Sequence, residues 1–245
     1  MSRACAKFLH ITYLSRNTWG YPLQNAINAA VSRGNAALLT DQLKHEIGDL
    51  VIAVSVRLDY LPSIIDRING SVKLLYEEVK QRDKAADRYA YEPKSDVKFP
   101  LLVDINSFLF EIYSGLEVVE TLGKKVLRRV LRRRVVENCL VEAVLAAQNA
   151  PMEWLKKLEE WRHHFTHSGT PWIAVCLDQE PAYDLLVMKS NVHDFTDAET
   201  FFRLSELNEV LRGFMEALRL VQQRIVDVAS AQRGAVVQGS LGDGG

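Results

Sequence analysis

The sequence predicts a mainly α-helical bundle with one small β-hairpin near 172–188 and extra helices at the N-terminal end. Three observations lead there. Of 13 Gly, five (Gly234, Gly239, Gly242, Gly244, Gly245) fall in the last twelve residues, so with only 7 Pro the body is poor in the residues that punctuate β-rich chains. Proline is absent from Leu101–Ala150 and from Ala182 onward, and helix interiors tolerate it worst. Apolar residues recur at three- and four-residue spacing along most of the chain, whereas only one pair of short runs has strand character.

At the N-terminal end, Trp19-Gly20-Tyr21-Pro22 breaks two short helical pieces, Arg33-Gly34-Asn35 ends the second, and Asn35 can cap the next helix. From Ala36 to Tyr60 the stripe runs through Leu39, Leu43, Ile47, Leu50, Val54 and Leu58. Pro62 suits the first turn of a second helix carrying Ile64, Ile65, Ile68, Val72, Leu75 and Val79, so the two form a hairpin. A polar stretch from Tyr89 to Pro100 reads as a linker between an N-terminal helical unit, 1–95, and a bundle, 96–232. Asp104 or Ser107 opens a long helix through Phe108, Ile112, Leu116 and Leu122. Gly123 marks a turn, and a further helix runs from Val126 to about Gln148.

Met152 to Thr166 is helical until Ser168-Gly169-Thr170-Pro171 stops it. Trp172–Leu177 and Tyr183–Met188 are strands joined by a loop of about five residues. A last helix spans about Phe201 to Ala229, and the Gly-rich tail, 233–245, reads as disordered.

Composition narrows the function classes. A chain of 245 residues with 48% hydrophobic and 25% charged residues matches a globular protein with a core of its own. Thirty basic against 31 acidic residues give a net charge of −1, no overall bias toward nucleic acid or membrane. Cys5, Cys139 and Cys176 fit neither a disulfide framework nor a zinc module, so the expected setting is reducing and cytoplasmic. No apolar run reaches the length of a membrane span, and no signal peptide is read at the N-terminus. No P-loop, dinucleotide fingerprint or nucleophile elbow occurs, and no cofactor is expected.

Three of the six histidines crowd into Trp161-Arg162-His163-His164-Phe165-Thr166-His167 at a helix end. His163 and His167, at i and i+4, share a face, and Arg162 lies on a neighbouring one. Arginine holds phosphate oxygens through its fork of donors while a histidine exchanges a proton near neutrality, a pairing that suits phosphodiester chemistry. Alternatively, the same cations complement the negative pole of the helix and its last carbonyls. As metal ligands, His163 and His167 lack a convincing further pair, so no metal is expected.

Arg162-His163-His164-Phe165-Thr166-His167 resembles the motif of the HEPN superfamily: arginine, then Asn, Asp or His, three residues, then histidine, late in a helical bundle. Asp104–Glu111 with Ser114-Gly115-Leu116-Glu117 is similar to the acidic, small-residue-rich helix that many such proteins place opposite the motif. The resemblance covers about Leu101 to Ala231. It implies a homodimer with a composite cleft and, in active members, a metal-independent endoribonuclease, sometimes a toxin with an antitoxin-like protein partner. In that reading Arg162 binds the scissile phosphate, His167 serves as general base or acid, and His163 fills the polar second position. Glu111, Glu117 and His164 then stand behind the site. Other members are non-catalytic modules binding protein, nucleotide or RNA. The hairpin directly after the motif is this chain's own departure, as is a histidine where the family more often has asparagine.

Charge is unevenly spread. Lys124, Lys125, Arg128, Arg129, Arg132, Arg133 and Arg134 put seven basic residues into eleven positions without an acid, leaving a net −8 elsewhere. The stripe reads as an RNA-backbone track, a surface for anionic lipid or an acidic partner, or a solvated face paired with local acids.

Overall fold

The computed structural model describes residues 15–34, 36, 39–82, 93–133, 140–167, 171–177, 184–189 and 197–231. Its elements are α1 (Gly20–Ser32), α2 (Asp41–Lys80), α3 (Lys98–Lys125, prolonged by a π-helical turn Val126–Val130), α4 (Leu140–Ala147), α5 (Glu153–His167), β1 (Trp172–Cys176), β2 (Asp184–Met188), β3 (Phe201–Arg203) and α6 (Glu206–Ser230). The protein is mainly α-helical with a small antiparallel sheet, ordered β1-β2-β3. No helix among the described residues is long and apolar enough to cross a membrane.

The two helices expected to meet at Pro62 are one helix of 40 residues. The Thr40 hydroxyl caps it by accepting from the Leu43 N–H at 3.2 Å, and Pro62 sits exposed in its interior. Proline there removes a backbone donor and crowds the preceding turn. Buried residues on both sides of it, Ile47 and Val54 before, Leu61, Ile64 and Ile68 after, belong to one core, so tertiary packing overrides the local break. α2 lies along α3 in the most extensive contact between any two elements.

α3 begins at Lys98, ahead of Asp104 and Ser107. Asp104 is no cap. It is buried in the helix, where Arg67 of α2 donates to its Oδ1 from Nε at 3.0 Å and from Nη2 at 2.8 Å. Gly123 makes no turn either: the helix continues through it, and the Leu140 side chain of α4 lies where a Cβ would sit, so glycine here serves a close approach. The chain breaks instead after the π-helical turn, where Arg132 has a φ of 51°. α4 restarts at Leu140, its Leu140 and Val141 N–H groups donating to the Glu120 carboxylate at 2.5 and 2.8 Å. A carboxylate at a helix start satisfies orphan donors and complements the dipole.

The hairpin pairs as expected, Ile173 opposite Val187 and Val175 opposite Leu185. β3 adds a strand where a helix was expected: Phe202 pairs with Val187, and α6 begins only at Glu206. Phe201 and Phe202 are both buried, and three residues are too few to show strand alternation in sequence. One hydrophobic core joins Leu23 and Ile27 of α1 and Leu61 of α2 to Phe108 of α3, Trp161 of α5 and Phe214 of α6. Asn35, the 178–182 loop, Arg134, Cys5, Cys139 and the tail beyond Arg233 lie outside the described residues.

Candidate functional site

α5 is held by its apolar stripe. Trp154, Leu158 and Trp161 are buried, and the Trp161 indole N–H donates to Glu206 Oε2 of α6 at 3.1 Å. Trp161 also stacks on Phe202 of β3, ring centroids 4.7 Å apart. With that face turned inward, helical spacing sends Arg162, His163 and His167 outward, and all three are exposed.

The Arg162 guanidinium lies over the Tyr113 ring of α3, 3.9 Å from its centroid. An arginine so placed is held by the ring quadrupole while its N–H fork stays available in the plane. Among the described residues no carboxylate forms an ion pair with it. His163 and His167 stand side by side, ring centroids 4.8 Å apart. The motif's cation and two of its imidazoles therefore occupy one solvent-facing helix end. No group of three or more His, Cys, Asp or Glu among the described residues is arranged to hold a metal ion.

His164 points the other way. It is 7% exposed, packed edge-on against Phe202 at 5.6 Å, and hydrogen-bonded to the Met188 backbone of β2, while its Nε2 is buried without a partner. Burial holds its pKa below the ordinary histidine value, against the opposing Met188 hydrogen bond; nearby Lys189 and His163 add to the depression. The hairpin that follows the motif thus covers His164 and leaves Arg162, His163 and His167 open.

Of the two glutamates expected behind the site, Glu111 is turned to α2, and Glu117 lies on the same face of α3 as Tyr113. Glu111 faces α2, accepting a short hydrogen bond from Tyr60 Oη, with Arg57 Nε 3.3 Å from its Oε2 but out of hydrogen-bond alignment. Arg57 also donates to Ser114 Oγ at 2.8 Å. Burial, then the Glu111 hydrogen bond, raises the Tyr60 pKa. Glu117 is exposed on α3, one turn beyond Tyr113.

The basic stripe divides. Lys124 pairs with Glu120 at 2.7 Å, so it belongs to the cap of α4. Lys125 at 2.7 Å and Arg129 at 3.3 Å share Glu46 of α2, and the Lys125 hydrogen bond is the first cause of the lowered Glu46 pKa. Arg128 and Arg129 are exposed, as are Arg132 and Arg133 beyond the π-helical turn. No protein-family model, curated protein or solved structure matches the chain.

Two clefts, of about 200 Å³ between α2, α3 and α6 and about 390 Å³ beside Trp19, are lined by neither Arg162 nor His167. Sequence reasoning missed Tyr113, which positions Arg162. Its signal is its place on α3, outside the buried stripe Leu109, Ile112 and Val119 and three residues after Phe110.

Proposed function

We propose that the end of α5 is a phosphodiester site and that the protein is a HEPN-like, metal-independent endoribonuclease. The observation that carries this reading is the Arg162 guanidinium, free of any ion pair among the described residues and held on Tyr113 at the same exposed helix end as the paired His163 and His167. Arg162 binds the non-bridging phosphate oxygens and stabilises their charge as the pentavalent state forms. His167 removes the ribose 2′-hydroxyl proton, the 2′-oxygen bonds to phosphorus, and the bond to the 5′-oxygen breaks as that oxygen takes up a proton. The products are a 2′,3′-cyclic phosphate and a 5′-hydroxyl.

In-line displacement puts the attacking and leaving oxygens on opposite sides of phosphorus. His163 and His167 of one chain lie side by side on an open surface, so a second copy facing the first supplies the opposing acid and encloses the phosphate. A non-catalytic module, binding an anionic partner through the same cations, is the second reading. The position of both clefts away from Arg162 and His167 favours it.

Incubating the protein with mixed RNA in chelator, beside Arg162→Ala and His167→Ala, tests both. Cleavage reduced about 100-fold or more in each variant, with cyclic phosphate ends, is the expected result. Cleavage unchanged in both variants overturns the site, and no cleavage of any RNA by the parent protein leaves the binding module.

A further inference from the structure

The solvent face of α3 carries apolar side chains that nothing among the described residues covers. Phe99, Val103 and Phe110 are 55%, 63% and 60% exposed. Their spacing sets them on one line along the helix, and the line runs on to Tyr113, one turn after Phe110. Scattered exposed apolar residues need no explanation, but an aligned set leading to the Arg162 site does.

Cations bracket this line. At its start the Lys98 ammonium lies over the Phe99 ring, 5.2 Å from the centroid, and at its end the Arg162 guanidinium lies over Tyr113 at 3.9 Å. Between them stand Asn106 and Ser107, both uncharged, and no acid on the line itself; Asp96 before Lys98 and Glu117 after Tyr113 bound it. Rings flanked by cations and interrupted by neutral residues match a strand that offers π-faces on one side and phosphates on the other. Aromatic and basic side chains also suit an anionic membrane surface, but such a surface buries a continuous apolar face, and the exposed Asn106 interrupts this one.

We propose that this face of α3, from Lys98 to Tyr113, is the platform on which a single-stranded polynucleotide lies as it enters the Arg162 site. The proposal rests on the phosphodiester reading above and names its substrate class. Bases stack on Phe110 and Phe99 while Arg162 and Lys98 contact phosphates at the two ends. From Phe99 to Tyr113 the helix advances about 21 Å at its rise of about 1.5 Å per residue. That length accommodates roughly six nucleotides at the stacked spacing of about 3.4 Å, and fewer if the strand is extended. A duplex hides its base faces in its own stack and gains nothing from these rings. The basic end of α3, tied down by Glu46 and Glu120 and without aromatics, contributes charge but no stacking.

The test uses the whole chain and a fluorescent 2′-O-methyl oligonucleotide of eight residues, which cannot be cleaved, with binding read by anisotropy. Phe110→Ala and Phe99→Ala are each expected to weaken binding by about tenfold, following the usual loss per stacked base. Phe110→Leu, which keeps an apolar side chain but no π-face, loses as much as the alanine variant. Phe110→Trp restores binding, and its indole fluorescence is quenched by the bound strand. A duplex of the same sequence binds more weakly and equally to all variants.

Binding to the parent protein that none of the phenylalanine changes alters overturns the platform and leaves the phosphodiester reading standing. Phenylalanine-dependent binding without any RNA cleavage supports the platform and overturns the nuclease reading. No binding of the parent protein to either strand overturns the platform. A shift from dimer to monomer in sedimentation for Phe99→Ala and Phe110→Ala, with strand affinity unchanged, shows that the face is a seam between copies and likewise overturns it. Circular dichroism melts establish that each variant is folded, as expected for exposed positions.

Discussion

Within a short stretch at the end of α5, fewer than two helix turns divide four basic side chains between two environments. Arg162, His163 and His167 face solvent, while His164 lies under Phe202 with Nε2 unpartnered. Protonating His164 would bury an N–H that has no acceptor, so its charged form is disfavoured in the folded state. Linkage sets the sign. Below the ordinary value of about 6.5 the unfolded chain takes up a proton that the folded chain refuses, so stability is complete above about 6.5 and falls as pH drops from there toward the depressed folded value. Thermal melts from pH 8 to pH 5 are expected to show a falling Tm below about pH 6.5, a fall reduced in His164→Phe; equal slopes in both proteins would contradict this account. The motif was legible in sequence as a cluster, but not which histidine was which. Periodicity placed His163 and His167 together, whereas the burial of His164 depends on β2 and β3, which arrive from distant sequence. Glu111 was misplaced for the same reason, since its partners Tyr60 and Arg57 belong to α2.

At the scale of elements, local punctuation was the weakest guide. Glycine and proline mark turns when nothing opposes them, yet Pro62 and Gly123 both lie inside continuous helices. At Gly123 the missing side chain serves the approach of Leu140, and at Pro62 a shared core on either side holds the rod together. The amphipathic stripes of α2, α3, α5 and α6 were legible because they repeat over many turns, and the hairpin because both its strands were long enough to show. β3 was not, since its three residues gain strand geometry only by pairing with β2. Pro62 supplies a prediction. Its side chain is exposed, so replacing it restores a backbone donor to the helix without opening a cavity, and Pro62→Ala is expected to stabilise the protein by about 1–3 kcal/mol in urea denaturation. A loss of stability would show that the proline relieves a bend which a continuous helix does not have.

At the scale of the molecule, the near-neutral total charge conceals a balance that the fold itself achieves. Glu46 of α2 and Glu120 of α3 each engage the basic stripe, so part of what reads in sequence as an anion track instead fastens α3 to α2 and α4. Hydrogen bonds likewise join the first and last of the described helices. α1 packs on α6, where the Trp19 indole N–H donates to the Leu218 carbonyl at 3.4 Å and Arg33 donates to the Ala229 carbonyl at 3.1 Å. A unit ending near residue 95 would be cut from its neighbour through the α2–α3 contact, the most extensive in the fold, and would expose Leu61, Ile64 and Ile68. Burial of that shared surface couples the two parts, because neither can unfold without stripping the other of apolar contacts. Urea unfolding followed by far-ultraviolet circular dichroism, which reports all the helices, and by tryptophan fluorescence, which reports Trp19 beside α1, Trp154 and Trp161 in α5 and Trp172 in β1, is therefore expected to give coincident transitions. Two separated transitions, with far-ultraviolet and fluorescence midpoints that do not coincide, would show that 1–95 and 96–232 fold as independent units and that the shared core is an interface between them.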